Sequence, residues 1–162
     1  MPQTLYLLRH AKSSWKDDSL SDFERPLKGR GRDAAKLVGK RLGSEIPSPE
    51  LIVCSPAART RQTLEIVLKH SGLHVDQRFD ERIYEASLHD LLRVVAEIPD
   101  SVAVAMLIGH NPGFEELLAY LTGQSRRMPT AALARIKLDV ESWKEVRSEG
   151  SLDLFVTPKE LD

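Results

Sequence analysis

The stretch LYLLRHAKSSW, Leu5 to Trp15, decides how the chain is read. An apolar run passes directly into Arg9 and His10, and then into small polar residues. With Thr4 in front, Leu5 to Leu8 has the length and the unbroken apolar character of a strand covered on both faces; a half-exposed strand would alternate. The same pattern returns twice. LIVCSPAART, Leu51 to Thr60, ends a buried strand on Ser55 and leads to Arg59. MLIGHNPG, Met106 to Gly113, ends another on Gly109 and His110.

Between these strands lie amphipathic runs. GRDAAKLVGKRLGS carries Ala34, Leu37, Val38 and Leu42 near helical spacing, with Gly43 as its stop. AARTRQTLEIVLKHSG reads as a helix with Pro56 suited to its first turn and Gly72 to its end. In SLHDLLRVVAEI, Ser87 is placed to cap a helix whose apolar stripe is Leu88, Leu91, Leu92, Val95 and Ile98. GFEELLAYLTG is a helix after Pro112, with Asn111 as its cap. VDQRF is a short strand. ALARIKLDV and SLDLFV alternate, so each should expose one face, as an edge pair with antiparallel character would. Strands alternating with helices imply parallel pairing through right-handed crossovers. The expectation is one α/β/α domain over residues 1–162 with a mostly parallel central sheet. In such sheets ligands bind beyond the carboxyl ends of the strands, so the three basic strand ends would share one rim.

The 162 residues suffice for one real core. The hydrophobic fraction is 41% and the formal net charge is -1, so no global field draws the chain to nucleic acid or to an anionic membrane. The single cysteine, Cys54, excludes an intrachain disulfide and a multi-cysteine metal site. No basic leader segment and no run of about 20 apolar residues is present, so the expected compartment is the cytoplasm and no membrane partner is expected. With no apolar stripe demanding a second copy, a monomer is the default.

Two arginines and two histidines on one rim make an anion site. Arginine's planar fork matches phosphate oxygens, and Arg59 falls in the first turn of a helix whose free N–H groups favour an anion. No GxxxxGK[ST] loop exists, so side chains would hold the phosphate.

The blocks Arg9-His10-Ala11, then Ser55-Pro56-x-x-Arg59-Thr60-x-Gln62-Thr63, then Gly109-His110-Asn111-Pro112 resemble the histidine phosphatase superfamily. The segments RHAKSSW, DFERPLKGRG, CSPAARTRQT and GHNPG are more similar to its small SixA-type phosphohistidine phosphatases than to the phosphoglycerate mutases. The likeness covers nearly the whole chain. It departs from the family's Arg-His-Gly at Ala11. It implies a phosphoglycerate-mutase-like fold without a large cap insertion. It also implies that His10 is the nucleophile, that Arg9, Arg59 and His110 clamp the phosphoryl oxygens, and that neither cofactor nor metal is needed. A glutamate after the third strand protonates the leaving group in mutase-like members. Glu81 resembles that position, with Asp80 and Glu85 as rivals, and Ser13 is a further candidate phosphate contact.

Only about 24 residues separate Phe79 from Ala103, and the loop from Ser13 to Lys28 is the other candidate lid. The site is therefore expected to be shallow and open, which suits a phosphoryl group on a protein, foremost phosphohistidine. A small phosphorylated substrate handled by a broad phosphomonoesterase is the alternative, as is a module that binds phosphate without turnover. Taken singly, each residue has a plainer reading: His110 as a hydrogen-bonded structural histidine, Arg59 as a helix-surface charge, Glu81 as a solvated carboxylate, Gln62 and Thr63 as packing residues, and Trp15 as part of its own loop.

Overall fold

The computed structural model describes residues 2–162. Six strands form one sheet in the order β3-β2-β4-β1-β5-β6. These are β1 (Gln3–Arg9), β2 (Leu51–Cys54), β3 (Asp76–Phe79), β4 (Val104–Gly109), β5 (Leu133–Leu138) and β6 (Ser151–Val156). Strands β1 to β4 run parallel; β5 lies antiparallel to β1, and β6 to β5. The helices are α1 (Gly29–Ser44), α2 (Ala58–Ser71), α3 (Leu88–Ala96), α4 (Gly113–Thr122) and the short α5 (Pro158–Leu161).

The unbroken apolar runs are explained by the two faces of the sheet. Successive side chains on a strand point to opposite sides. Leu5 and Leu7 of β1, with Ala105 and Leu107 of β4, meet one core formed with Leu91, Val95, Phe114 and Leu118 of α3 and α4. Tyr6 and Leu8, with Met106 and Ile108, meet the other, formed with Ala35, Val38 and Leu42 of α1 and Leu64 and Val67 of α2. Burying both faces of β1, β2 and β4 contributes roughly 25 cal/mol for each Å² of apolar surface removed from water.

Four sequence expectations need correction. Residues of β5 are mostly buried instead of alternating, because β5 sits inside the sheet between β1 and β6. Pro56 precedes α2 instead of entering its first turn; Ala57 holds the cap position. Asn111 does not cap α4, since Pro112 stands there; the Asn111 amide instead donates to Glu115 Oε2 and to the Met128 carbonyl. Gly43 does not end α1, which runs to Ser44; a Cβ on Gly43 would lie 2.6 Å from the Ser71 carbonyl oxygen, so this glycine lets the ends of α1 and α2 approach. Ser87 caps α3 as its sequence indicates, its hydroxyl accepting from the Asp90 N–H at 3.1 Å, and Gly72 takes the left-handed conformation after α2.

Candidate active site

Register builds the rim. Arg9 pairs with Gly109 across β1 and β4, so His10 and His110, one residue further on, emerge side by side. The ladder continues past the strand ends: the His10 N–H donates to the Gly109 carbonyl at 3.0 Å and the Ser55 N–H to the Ile108 carbonyl at 3.0 Å. The backbone under the site is therefore held by the sheet itself. Gly109 is required there, because a Cβ would sit 2.7 Å from both Ile83 and Phe114.

The two imidazole rings lie 5.2 Å apart, tilted by 52°. His10 Nδ1 is 2.7 Å from the Ala11 carbonyl. A carbonyl only accepts, so Nδ1 carries the proton and Nε2 keeps its lone pair. Burial lowers the His10 pKa to about 4; the Ala11 carbonyl works against this, while the charges of Arg59, Arg9 and Arg25 add to it. His110 is lowered to about 3, by burial first and then by His10 and Arg59. Both rings are thus neutral at physiological pH. His110 Nε2 lies 2.7 Å from Ser55 Oγ, which also accepts from the Ala57 N–H. The Ser55 hydroxyl proton is then free to point at Nε2, leaving the His110 proton on Nδ1, a buried nitrogen without a protein partner.

Arg9 and Arg59 are held by different segments. Arg9 Nη1 donates to the Met128 carbonyl at 3.0 Å. Arg59 Nη1 donates to the Asp22 carbonyl at 2.7 Å, and its Nη2 to the Asp22 carboxylate at 3.0 Å. The Nε of each guanidinium is buried and has no acceptor in the protein. Three donors of one cluster, Arg9 Nε, Arg59 Nε and His110 Nδ1, are therefore out of water and unpartnered. Buried donors without acceptors are costly, and an anion on this rim would supply acceptors.

The sequence blocks are tied to one another by residues that looked like packing. Thr63 Oγ1 accepts from the Ala11 N–H at 3.0 Å and donates to the Arg59 carbonyl at 2.7 Å, joining the first block to the second. Gln62 Oε1 accepts from the Leu27 N–H at 2.8 Å. The Ala11 side chain is fully buried and belongs to the core that the sheet forms with α1 and α2.

The loop from Ser13 to Lys28 supplies residues that sequence reading passed over. Asp22 accepts from Arg25, Arg59 and the Tyr84 hydroxyl, the last at 2.6 Å. Burial alone would raise its carboxyl pKa, but Tyr84 and the two arginines bring it to about 2. Tyr84 stands edge-on to His110 with ring centres 5.4 Å apart. Loop and tyrosine together leave His10, Arg59 and His110 only 6–7% exposed, so the site is more closely roofed than a shallow open rim. Its sequence marked this loop as a candidate lid, and DFERPLKGRG as part of the family likeness, but gave Asp22 and Arg25 no role of their own.

The Ser13 hydroxyl accepts from Arg25 Nη1 at 2.8 Å, and Ser13 pairs with Leu27 across the base of the loop. Glu81 opens the short helical turn Glu81–Ile83 after β3, exposed, with no side-chain hydrogen bond or ion pair among the described residues. Asp80 is engaged by Arg82. Glu85 adopts the left-handed backbone conformation, φ 54°, next to Tyr84.

Residues 5–112 match the family pattern described as the histidine phosphatase superfamily (branch 1). The chain belongs to the histidine phosphatase superfamily. The matched span contains Arg9, His10, Arg59 and His110. Among solved structures, the protein of Agrobacterium tumefaciens provisionally named phosphohistidine phosphatase SixA superposes with a TM-score of 0.84 at 28% identity, covering 98% of this chain and 99% of that one. The equally provisionally named SixA of Nakamurella multipartitia gives 0.85 at 25% identity, covering 98% and 97%. An uncharacterised protein of Mycobacterium leprae is 30% identical over 94% of this chain and all of its own length. Fold and likeness place this histidine phosphatase in the SixA-type branch, a phosphatase with no large cap insertion.

Proposed function

We propose that this protein hydrolyses phosphohistidine on a protein substrate through a covalent intermediate on His10. The observation that carries the reading is the neutral His10 ring, fixed by the Ala11 carbonyl with its Nε2 lone pair free, beside three unpartnered buried donors. In the first step His10 Nε2 attacks phosphorus and the bond from phosphorus to the substrate imidazole breaks. The leaving imidazole takes a proton, for which exposed Glu81 at the same sheet edge is our candidate donor. In the second step water attacks phosphorus of the phosphorylated His10 and gives a proton back to the Glu81 carboxylate, the P–Nε2 bond breaks, and phosphate, neutral His10 and protonated Glu81 are restored. Arg9, Arg59 and the His110 Nδ1–H stabilise charge on the phosphoryl oxygens as it redistributes.

The protein substrate draws support from the solved relatives that bear the SixA name, and from a cover made of one short loop and Tyr84 in place of a large cap insertion. The test compares phosphate release from a phosphorylated histidine-containing phosphotransfer protein with release from p-nitrophenyl phosphate. Both are run with chelator, beside the His10→Ala variant. Release that prefers the phosphoprotein and vanishes in the variant is expected. Faster turnover of the ester would favour a broad phosphomonoesterase. Phosphate binding without release from either would leave a binding module.

A further inference from the structure

Two large aromatic side chains stand in water beside the site. Trp15 is 76% exposed and Phe23 is 39% exposed. Both belong to the loop between β1 and α1; Phe23 reaches the reacting cluster through Tyr84, and Trp15 reaches it through Arg25 and Asp22. The Arg25 guanidinium sits 3.5 Å from the centre of the Trp15 ring, and its charge is felt by His10. The Phe23 ring meets Tyr84 edge-on at 5.1 Å, and Tyr84 meets His110. The Phe23 backbone follows directly on Asp22, whose carbonyl receives Arg59.

The loop presents these rings from an ordered scaffold. It is anchored by polar contacts: the Ser14 N–H to the Pro26 carbonyl, the Lys28 N–H to the Lys12 carbonyl, and the Leu27 N–H to Gln62. Gly31 of α1 packs so closely on the loop base that a Cβ would fall 2.1 Å from the Lys12 carbonyl oxygen. A flexible loop would hide exposed rings by collapsing; this one is fixed with its rings outward. A tryptophan and a phenylalanine held rigidly in water, with arginine beneath, have the composition of an interface anchor.

We propose that Trp15 and Phe23 form the recognition surface for a folded phosphoprotein, gripping the apolar surface that flanks its phosphorylated side chain. The inference rests on the protein-substrate reading above and names the part of the chain that selects the protein. The occupant is a protein because the rings are continuous with the phosphoryl site and lie outside it.

The test uses the full chain and two substrates, the phosphorylated phosphotransfer protein and free phosphoramidate. Trp15→Ala combined with Phe23→Ala is expected to raise KM for the phosphoprotein by about tenfold or more while leaving kcat/KM for phosphoramidate within about threefold. Trp15→Phe with Phe23→Tyr, which keeps ring area, should restore most of the phosphoprotein KM. An equal fall for both substrates would mean that the rings only support the site, and would overturn the proposal. So would an unchanged phosphoprotein KM. So would a parent that is dimeric in sedimentation and becomes monomeric on losing the rings, since the surface would then bind a second copy. Failure of the parent to prefer the phosphoprotein is read before any variant is made; it removes the protein-substrate reading itself, and this inference with it.

Discussion

In the mechanism we propose, His10 is the nucleophile: its surroundings keep it neutral and hold its proton on Nδ1, which leaves Nε2 for the attack. Burial dominates, and Arg59 and Arg9, the proposed clamp, also disfavour imidazolium. The same groups thus serve nucleophile and clamp. A measurable consequence is the acid limb of activity. A histidine lowered to about 4 stays unprotonated well below the ordinary value near 6.5. After correction for the substrate's own ionisation, kcat/KM for phosphoramidate should hold to about pH 5 and fall below it. A limb near 6.5 would show that the ring is wet and ordinary in the working enzyme.

At the scale of elements, the β1–α1 loop acts as the roof, and Asp22 is its latch. This carboxylate gathers Arg25, Arg59 and Tyr84, although its own side chain is half exposed. Removing it would leave Arg59 held by the Asp22 carbonyl alone and would loosen the roof. Asp22→Ala should lower kcat/KM for small phosphoramidates by roughly tenfold to a hundredfold, as expected when charge-assisted hydrogen bonds that aim a clamp are lost. Unchanged or faster turnover would mean instead that Asp22 competes with the phosphoryl group for Arg59. How far the sequence could be read also divides along elements. Strands β1, β2 and β4 were legible because covering both faces leaves unbroken apolar runs, and the parallel register then gathers Arg9, His10, Arg59 and His110. The Ser13–Lys28 loop was legible as a candidate lid, but the contacts that close it were not. Asp22, Arg25 and Tyr84 meet across intervals of up to 62 residues, and nothing in a charged turn or in the run ERIYEAS announces such a meeting. The cap positions of α2 and α4 misled for a local reason: proline tolerates both the first turn and the residue before it, so its presence marks a helix start only to within a residue or two.

For the whole molecule, keeping two neutral histidines buried at the sheet edge has a cost in acid. In the unfolded chain each binds a proton near pH 6.5; in the folded chain His10 does so only near 4 and His110 near 3. Between those values the unfolded state holds more protons, so stability is complete above about pH 6.5 and falls as the pH drops toward 4. Each histidine contributes a loss of up to about 2 kcal/mol at pH 5. The urea midpoint should fall between pH 7 and pH 5, and should fall less in His110→Asn than in the parent. Equal falls would show that other groups govern acid stability.

The central claim is that the phosphoryl group rests on His10 between the two halves of the reaction. It is tested most directly by rapid quench of a single turnover with substrate carrying a radioactive phosphoryl group, followed by peptide mapping. Acid-labile label on the peptide containing His10, absent in His10→Ala, is the expected result. Phosphate released at full rate with no label on any histidine, or label that persists in His10→Ala, would contradict the account.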